Sequence, residues 1–292
     1  MENNEVQIAN SNVKKTVSAI LSQDAVKSRF NDILGKTANA FMSSIISATK
    51  SNPTLAECEP NSVISSAVIA ATLNLPIQSN LGFAHIVPYN QKDSNGNVVK
   101  VAQFQMGYKG FIQLALRTSQ YKNINASEVY DGELVNHDRI TGEVELDTKK
   151  KKSDRVIGYV AYFKLINGFE KMLYMTKEQL QGHGSKYSKS YSNKYGRWQQ
   201  DFDSMALKTV IKLLLSKYGI LSVDMQTAII TDQAIIKDAD TMEVEYVDAN
   251  EKEQFQSNAL EETEPAEIEV IISEKQKDLT DKANNNPKLN LK

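Results

Sequence analysis

Residues 156–174 read VIGYVAYFKLINGFEKMLY. β-Branched and aromatic side chains fill two runs, Val156 to Ile166 and Phe169 to Tyr174, with Asn167-Gly168 between them. Such runs suit a pleated, half-buried surface. The Asn-Gly pair predicts a hairpin with a two-residue type I′ turn, because both central residues of that turn need positive φ. Working outward, Phe83 to Tyr89 alternates, Asp93-Ser94-Asn95-Gly96 is a turn, and Val99 to Met106 alternates again, which predicts a first hairpin. Residues 108–119 between the hairpins read as a helix, and Lys149-Lys150-Lys151-Lys152 as a loop. Strands interleaved with helices in this way make the class α+β.

The flanks are helical. Val63, Ile64, Ala67, Val68 and Ala71 form an apolar stripe at helical spacing that Pro76 ends, and residues 26–50 hold a helical pair around Gly35. These small-residue helices suit packing on one another or on a neighbouring subunit. Beyond the second hairpin the pattern gives a short helix from 176, a Gly/Ser/Tyr/Lys loop, and a long C-terminal helix from about Trp198 to Lys217. The expected organisation is a flexible arm over 1–24, one domain over 25–236, and an acidic tail over 237–292 that reads as disordered.

Charge divides along the same line. Residues 237–292 carry 15 Asp/Glu against 7 Lys/Arg, whereas residues 1–236 carry 21 against 27, within a net charge of −2. A basic body with an acidic tail is the electrostatic outline of many nucleic-acid binders. It is also what a solubilising tail on an ordinary domain would give. No 18-residue apolar run and no secretory leader occur, so the reading is cytoplasmic with no membrane partner. A lone cysteine, Cys58, excludes an internal disulfide and a cysteine-based zinc site, and the sequon at Asn125 is read as coincidental.

Three segments carry candidate chemistry. Residues 183–202, HGSKYSKSYSNKYGRWQQDF, lie in a stretch from Gln179 to Gln200 without one acidic residue. Lys186, Lys189, Lys194 and Arg197 interleave there with Tyr187, Tyr191, Tyr195 and Trp198. Cations neutralise phosphates, and aromatic faces stack unpaired bases at about 1–3 kcal/mol each, tolerant of sequence. On the helix GYKGFIQLALRTSQY, Lys109, Gln113 and Arg117 share a stripe. Gly107 and Gly110 would let a nucleic-acid strand approach its start, where backbone N–H groups favour anions. On DFDSMALKTVIKLLLSK, Lys208 and Lys212 share a stripe with Ser204, Phe202 lies on the apolar face, and Asp201 and Asp203 read as caps.

Other chemistries fit poorly. Gly35-Lys36-Thr37 resembles the end of a phosphate-binding P-loop, but Phe30 stands where the first glycine is needed. His85, His137 and His183 lack metal-ligand spacing. Asp147-Thr148-Lys149 with Asp131 could form half of a magnesium nuclease site, a short and common pattern. The residues therefore point to a binding protein without catalytic residues and with no cofactor.

The order LGFAHIVPY, QFQMGYKGFIQLALRTSQYKNINASEVYDGEL, KKSDRVIGYVAYFKLINGF and W-x3-F-x2-MALKT-x5-LLSKYG resembles the RecT family of phage and prophage recombinases over residues 25–235. The resemblance implies ATP-independent annealing of complementary single strands in homologous recombination. It implies a homo-oligomeric ring or helical filament holding single-stranded DNA and the annealed duplex. It also implies a 5′–3′ exonuclease partner, a possible host single-stranded-DNA-binding protein, and a fold related to lambda-type Beta annealing proteins. By motif position, Gln103, Gln105, Lys109, Arg117, Arg197, Trp198, Phe202, Lys208 and Lys212 become candidate DNA contacts, while Lys186, Lys189, Tyr191 and Lys194 rest on chemistry alone. The competing expectations are a protective strand binder that does not anneal and the magnesium nuclease. On the annealing reading, Lys208 and Lys212 clamp phosphates, and reversing their charge should abolish binding while sparing the fold.

Overall fold

The computed structural model describes residues 16–92, 95–188, 190–239 and 243–246. The chain divides into two units, Met1–Asp248 and Ala249–Lys292, and every described residue belongs to the first. The arm before residue 16 and the tail beyond 248 lie outside the described residues, as does Lys189.

Five helices come first: α1 (Val17–Leu21), α2 (Asp24–Leu34), α3 (Ala38–Ser51), α4 (Pro53–Ala56) and α5 (Pro60–Thr72). Gly35, with φ 54°, ends α2 and turns the chain through a short 3-10 segment into α3. The P-loop-like tripeptide is thus a helix junction. Buried residues surround α5 from Ser62 to Ala71, as a helix apolar on every side requires. It packs on the sheet formed by β1 (Ala84–Lys92) and β2 (Val98–Met106). Pro88 is tolerated because β1 is the edge strand of its sheet.

Next come α6 (Tyr108–Arg117), β3 (Tyr121–Tyr130), the ribbon β4 (Leu134–Asp138) and β5 (Glu143–Leu146), then β6 (Val156–Leu165) and β7 (Glu170–Thr176). Strands β3, β6 and β7 form an antiparallel sheet with β6 central. The hairpin at 156–174 is present, but its turn differs from the expected type. Leu165 and Phe169 close a three-residue connection in which only Gly168 takes positive φ, at 93°, and Gly168 N–H reaches Leu165 O. The Asn167 side chain accepts from Phe169 N–H at 3.0 Å, which fixes the turn without left-handed backbone at Asn167.

Four helices and two strands follow in the last stretch: α7 (Lys177–Tyr187), α8 (Arg197–Gln200), α9 (Phe202–Tyr218) and α10 (Val223–Thr231), then β8 (Ala234–Asp238) and β9 (Glu243–Tyr246). Asp201 breaks the helix expected from Trp198 and caps α9 by accepting Ser204 N–H at 3.2 Å. Helix α9 packs against β6, β3 and β7 on one side and α6 on the other. Strand β8 returns to β2 through Phe104↔Ala234 and pairs in turn with β9. The architecture is α+β, with helices on small antiparallel sheets.

Candidate nucleic-acid interface

The segment 79–82, β1, the start of α6, α8 and the first turns of α9 enclose an open cleft of ≈ 340 Å³. Its lining includes His85, Gln105, Lys109, Arg197, Asp201, Ser204 and Lys208. Four candidates thus meet there: Gln105, Lys109, Arg197 and Lys208. Lys109 and Arg197 are exposed cations.

The glycines at the start of α6 serve the protein itself. Gly107 N–H donates to Phe83 O at 2.9 Å. A Cβ on Gly107 would lie 2.0 Å from Gly82 O, and one on Gly110 would lie 2.2 Å from Phe83 O. The chain's own 82–83 backbone therefore occupies the approach expected for a nucleic-acid strand. Gly82, at φ +73°, has the Lys109 stem beside it, with Cδ 3.5 Å from where its Cβ would stand.

Lys208 and Lys212 do not form the expected exposed stripe. Both ammonium groups donate to Asp232 at 2.8 Å, and Asp232 also accepts Met106 N–H at 2.8 Å. The carboxylate is fully buried, the Lys208 side chain is 6% exposed and that of Lys212 13%. Burial alone would raise the Asp232 pKa; the two lysines outweigh it, and the net direction is down. Ionic hydrogen bonds in a desolvated site explain that sign. The cluster ties α9 to the end of α10 and to β2, while Lys208 still borders the cleft. The sequence-based expectation was that a charge reversal there spares the fold; beside buried Asp232 it is instead expected to cost stability.

Burial, and then the charges of Arg197 and Lys208, push His85 down to about 4. His183 is held to about 4 by burial, Lys212 and Lys186. Both rings are neutral at pH 7, and the cleft's positive charge comes from lysine and arginine.

Other candidates have structural partners. Gln103 is buried and donates to Gln233 O; Gln105 donates to the Gln103 side chain at 2.9 Å and to Tyr89 OH at 3.3 Å. Arg117 donates to Leu73 O at 2.6 Å and Asn74 O at 2.7 Å, capping the end of α5 away from the lining of the cleft. Trp198 is buried at 4% exposure, between Tyr191 at 5.8 Å and Phe202 at 5.5 Å. Gly184 makes room for this packing, since a Cβ there would stand 2.7 Å from the Tyr191 ring. Trp198 is therefore no open stacking platform. Tyr195, 77% exposed, is the aromatic that the loop presents, flanked by exposed Lys194. Lys186 is exposed in the last turn of α7, its ammonium 4.9 Å from the Tyr187 ring.

Sequence reasoning missed His85 and Asp232. An acid within the apolar run Ala228 to Ile236 was the only local signal for Asp232, and nothing local tied it to lysines 20 and 24 residues away. Asp131 and Asp147 bond to Ser153, Arg155, Lys149 N–H and Lys150. Among the described residues no group of three or more His, Cys, Asp and Glu is placed to hold a metal ion, and no helix is long and apolar enough to cross a membrane.

Comparison with known proteins converges with this geometry. The chain is 48% identical over 256 residues to the uncharacterized protein YqaK of Bacillus subtilis strain 168, covering 86% of each. It is 28% identical over 225 residues to protein RecT of Escherichia coli K12, covering 74% of this chain and 80% of that one. A sequence profile described as the RecT family matches residues 39–254, a span that holds every wall of the cleft. The chain belongs to the RecT family.

Proposed function

We propose that this protein binds single-stranded DNA and anneals complementary strands without ATP, as an oligomer. Membership of the RecT family supports single-strand annealing in DNA recombination, and with it strand binding and oligomerisation. The observation that carries the reading to residues is the cleft where Lys109, Arg197 and Lys208 converge from three helices.

Annealing requires two polyanions to approach, so phosphate repulsion must be screened. The first strand must also keep its pairing edges exposed. Lys109 and Arg197 offer a point charge and a guanidinium fork, which hold a backbone and read no base, while Lys208 stays paired with Asp232 in the wall. Tyr195 and Lys194, exposed in the loop before α8, would add a stacking face and a further cation. Pairing then supplies the driving force, at about 1.4 kcal/mol of stacking per step, so no nucleotide hydrolysis is needed. A ring or filament multiplies weak contacts per subunit through effective concentration, with the helical layer α1–α5 contributing subunit contacts. An exonuclease would supply the single-stranded ends.

The test is a fluorescence assay of two complementary oligonucleotides in ATP-free buffer, with the mass of the protein–DNA complex measured alongside. The expected result is faster hybridisation by wild type and a loss on the order of tenfold or more in Lys109→Glu/Arg197→Glu, which retains its melting temperature. Coated strands that pair more slowly than naked ones would instead indicate a protective binder. A monomeric wild type that leaves hybridisation unaccelerated would end the proposal.

A further inference from the structure

The four lysines at 149–152 take no part in the cleft, yet the segment 147–155 is a built platform. Asp147 accepts Lys149 N–H at 3.0 Å, its carbonyl accepts Lys150 N–H at 3.0 Å, and its own N–H donates to Glu133 O at 2.8 Å. Lys152 N–H donates to Asp131 O at 2.7 Å, and Asp131 N–H to Arg155 O at 2.9 Å. Gly132, at φ +92°, lets the turn close, since a Cβ there would lie 2.3 Å from Lys150 O. The segments 131–133 and 147–155 are thereby locked together, and exposed Lys149, Lys150, Lys151, Lys152 and Arg155 project from one fixed turn. Lys151 is seated 3.6 Å from the centre of the Tyr130 ring.

The platform is linked to the cleft through side chains. Strand β6 leaves the turn at Val156 and carries Tyr159, whose ring lies 5.9 Å from that of Phe202 and whose hydroxyl donates to Asp203 at the start of α9. Lys177 stands 5.6 Å from the Phe202 ring, and Phe202 packs on Trp198, next to Arg197 at the cleft. The turn and the cleft are thus joined through β6 and the start of α9.

We propose that this basic turn receives the sugar-phosphate backbone of the incoming complementary strand, beside the strand held in the cleft; this rests on the annealing reading above. Five cations lie against four carboxylates, Asp131, Glu133, Asp147 and Asp154, so the turn is net positive by one. Ammonium and guanidinium groups make sequence-independent phosphate contacts and leave bases unread. That is what an incoming strand requires, because its base edges must stay open to sample partners. The aspartates that a magnesium nuclease would use hold the turn in shape instead.

The experiment compares wild type, Lys149→Glu/Lys152→Glu and the cleft variant Arg197→Glu as full chains. Three quantities are read: affinity for a labelled oligo-dT, annealing rate of a complementary pair, and melting temperature. The turn variant should melt as wild type does and bind oligo-dT within about twofold, yet anneal on the order of tenfold more slowly. Its annealing rate should also depend less on salt, with a logarithmic slope shallower by about 1.4 for two lost single-strand phosphate contacts. Arg197→Glu should lose oligo-dT affinity itself. Lys149→Gln/Lys152→Gln should show a smaller loss of annealing in the same direction. An unchanged annealing rate overturns the inference. So does an oligo-dT affinity that falls as far as the rate, which would put the turn on the first strand's path. Faster annealing overturns it too, by making the turn a seat for an acidic polypeptide such as residues 249–292. Wild type that binds no oligo-dT would sink the annealing reading itself, a result distinct from all of these.

Discussion

Lys208 and Lys212 stand four apart on α9 and share one carboxylate, Asp232, with no water-filled surface around it. Ions in such a site are stable only while their partners remain, because an uncompensated charge cannot regain its hydration. Lys208→Glu would place two carboxylates side by side, and we expect it to cost about 3–5 kcal/mol in urea denaturation. If stability were unchanged, the buried cluster would have no energetic role. The histidines make a separate prediction. His85 and His183 are held to about 4, below their ordinary 6.5, chiefly by burial and then by neighbouring cations. Between those values the unfolded chain binds protons that the folded one refuses, so stability is full above about pH 6.5 and falls as pH drops towards 4. The loss should be on the order of 2 kcal/mol per histidine by pH 4.5, read from urea midpoints, and His85→Gln should remove its share. A flat profile between pH 7 and 4.5 would contradict this.

At the level of elements, two glycines separate steric need from conformational need. A Cβ on Gly107 would press on the Gly82 carbonyl at 2.0 Å, where β1 and α6 meet to form one wall of the cleft. Gly168 has nothing within 4 Å but sits at φ +93°. Gly107→Ala should therefore cost about 1–3 kcal/mol through displaced backbone and lower strand affinity as the cleft deforms. Gly168→Ala should cost about 1–2 kcal/mol through backbone strain alone and leave affinity unchanged. Melting temperatures with oligo-dT titrations distinguish the two, and equal effects on binding would refute the contrast. The hairpin at 156–174, the strands flanking residue 95, and the helix from Tyr108 were legible because period and turn residues are local. The turn type was not. Asn-Gly allows positive φ at both residues, but here Ile166 joins the loop, Asn167 keeps negative φ, and Lys164 faces Glu170 across the strands, 3.1 Å apart in their ion pair.

For the whole molecule, the sequence determined what depends on neighbours along the chain. That includes the α+β alternation, the basic body against the acidic end, the family resemblance, and a set of residues of the right chemistry for phosphates. Only the tertiary structure decided which of those residues face solvent and which hold the fold. Lys109 and Arg197 reach the cleft, whereas Trp198, Gln103 and Arg117 are engaged in packing or in hydrogen bonds to backbone and side chains. It also decided that β8 returns to β2 and carries the preceding Asp232 to two lysines on α9. The reason is that burial and ion pairing are set by segments meeting across long loops. A lysine's spacing on its own helix says which side chains lie beside it, but not whether the opposing surface is water or a carboxylate.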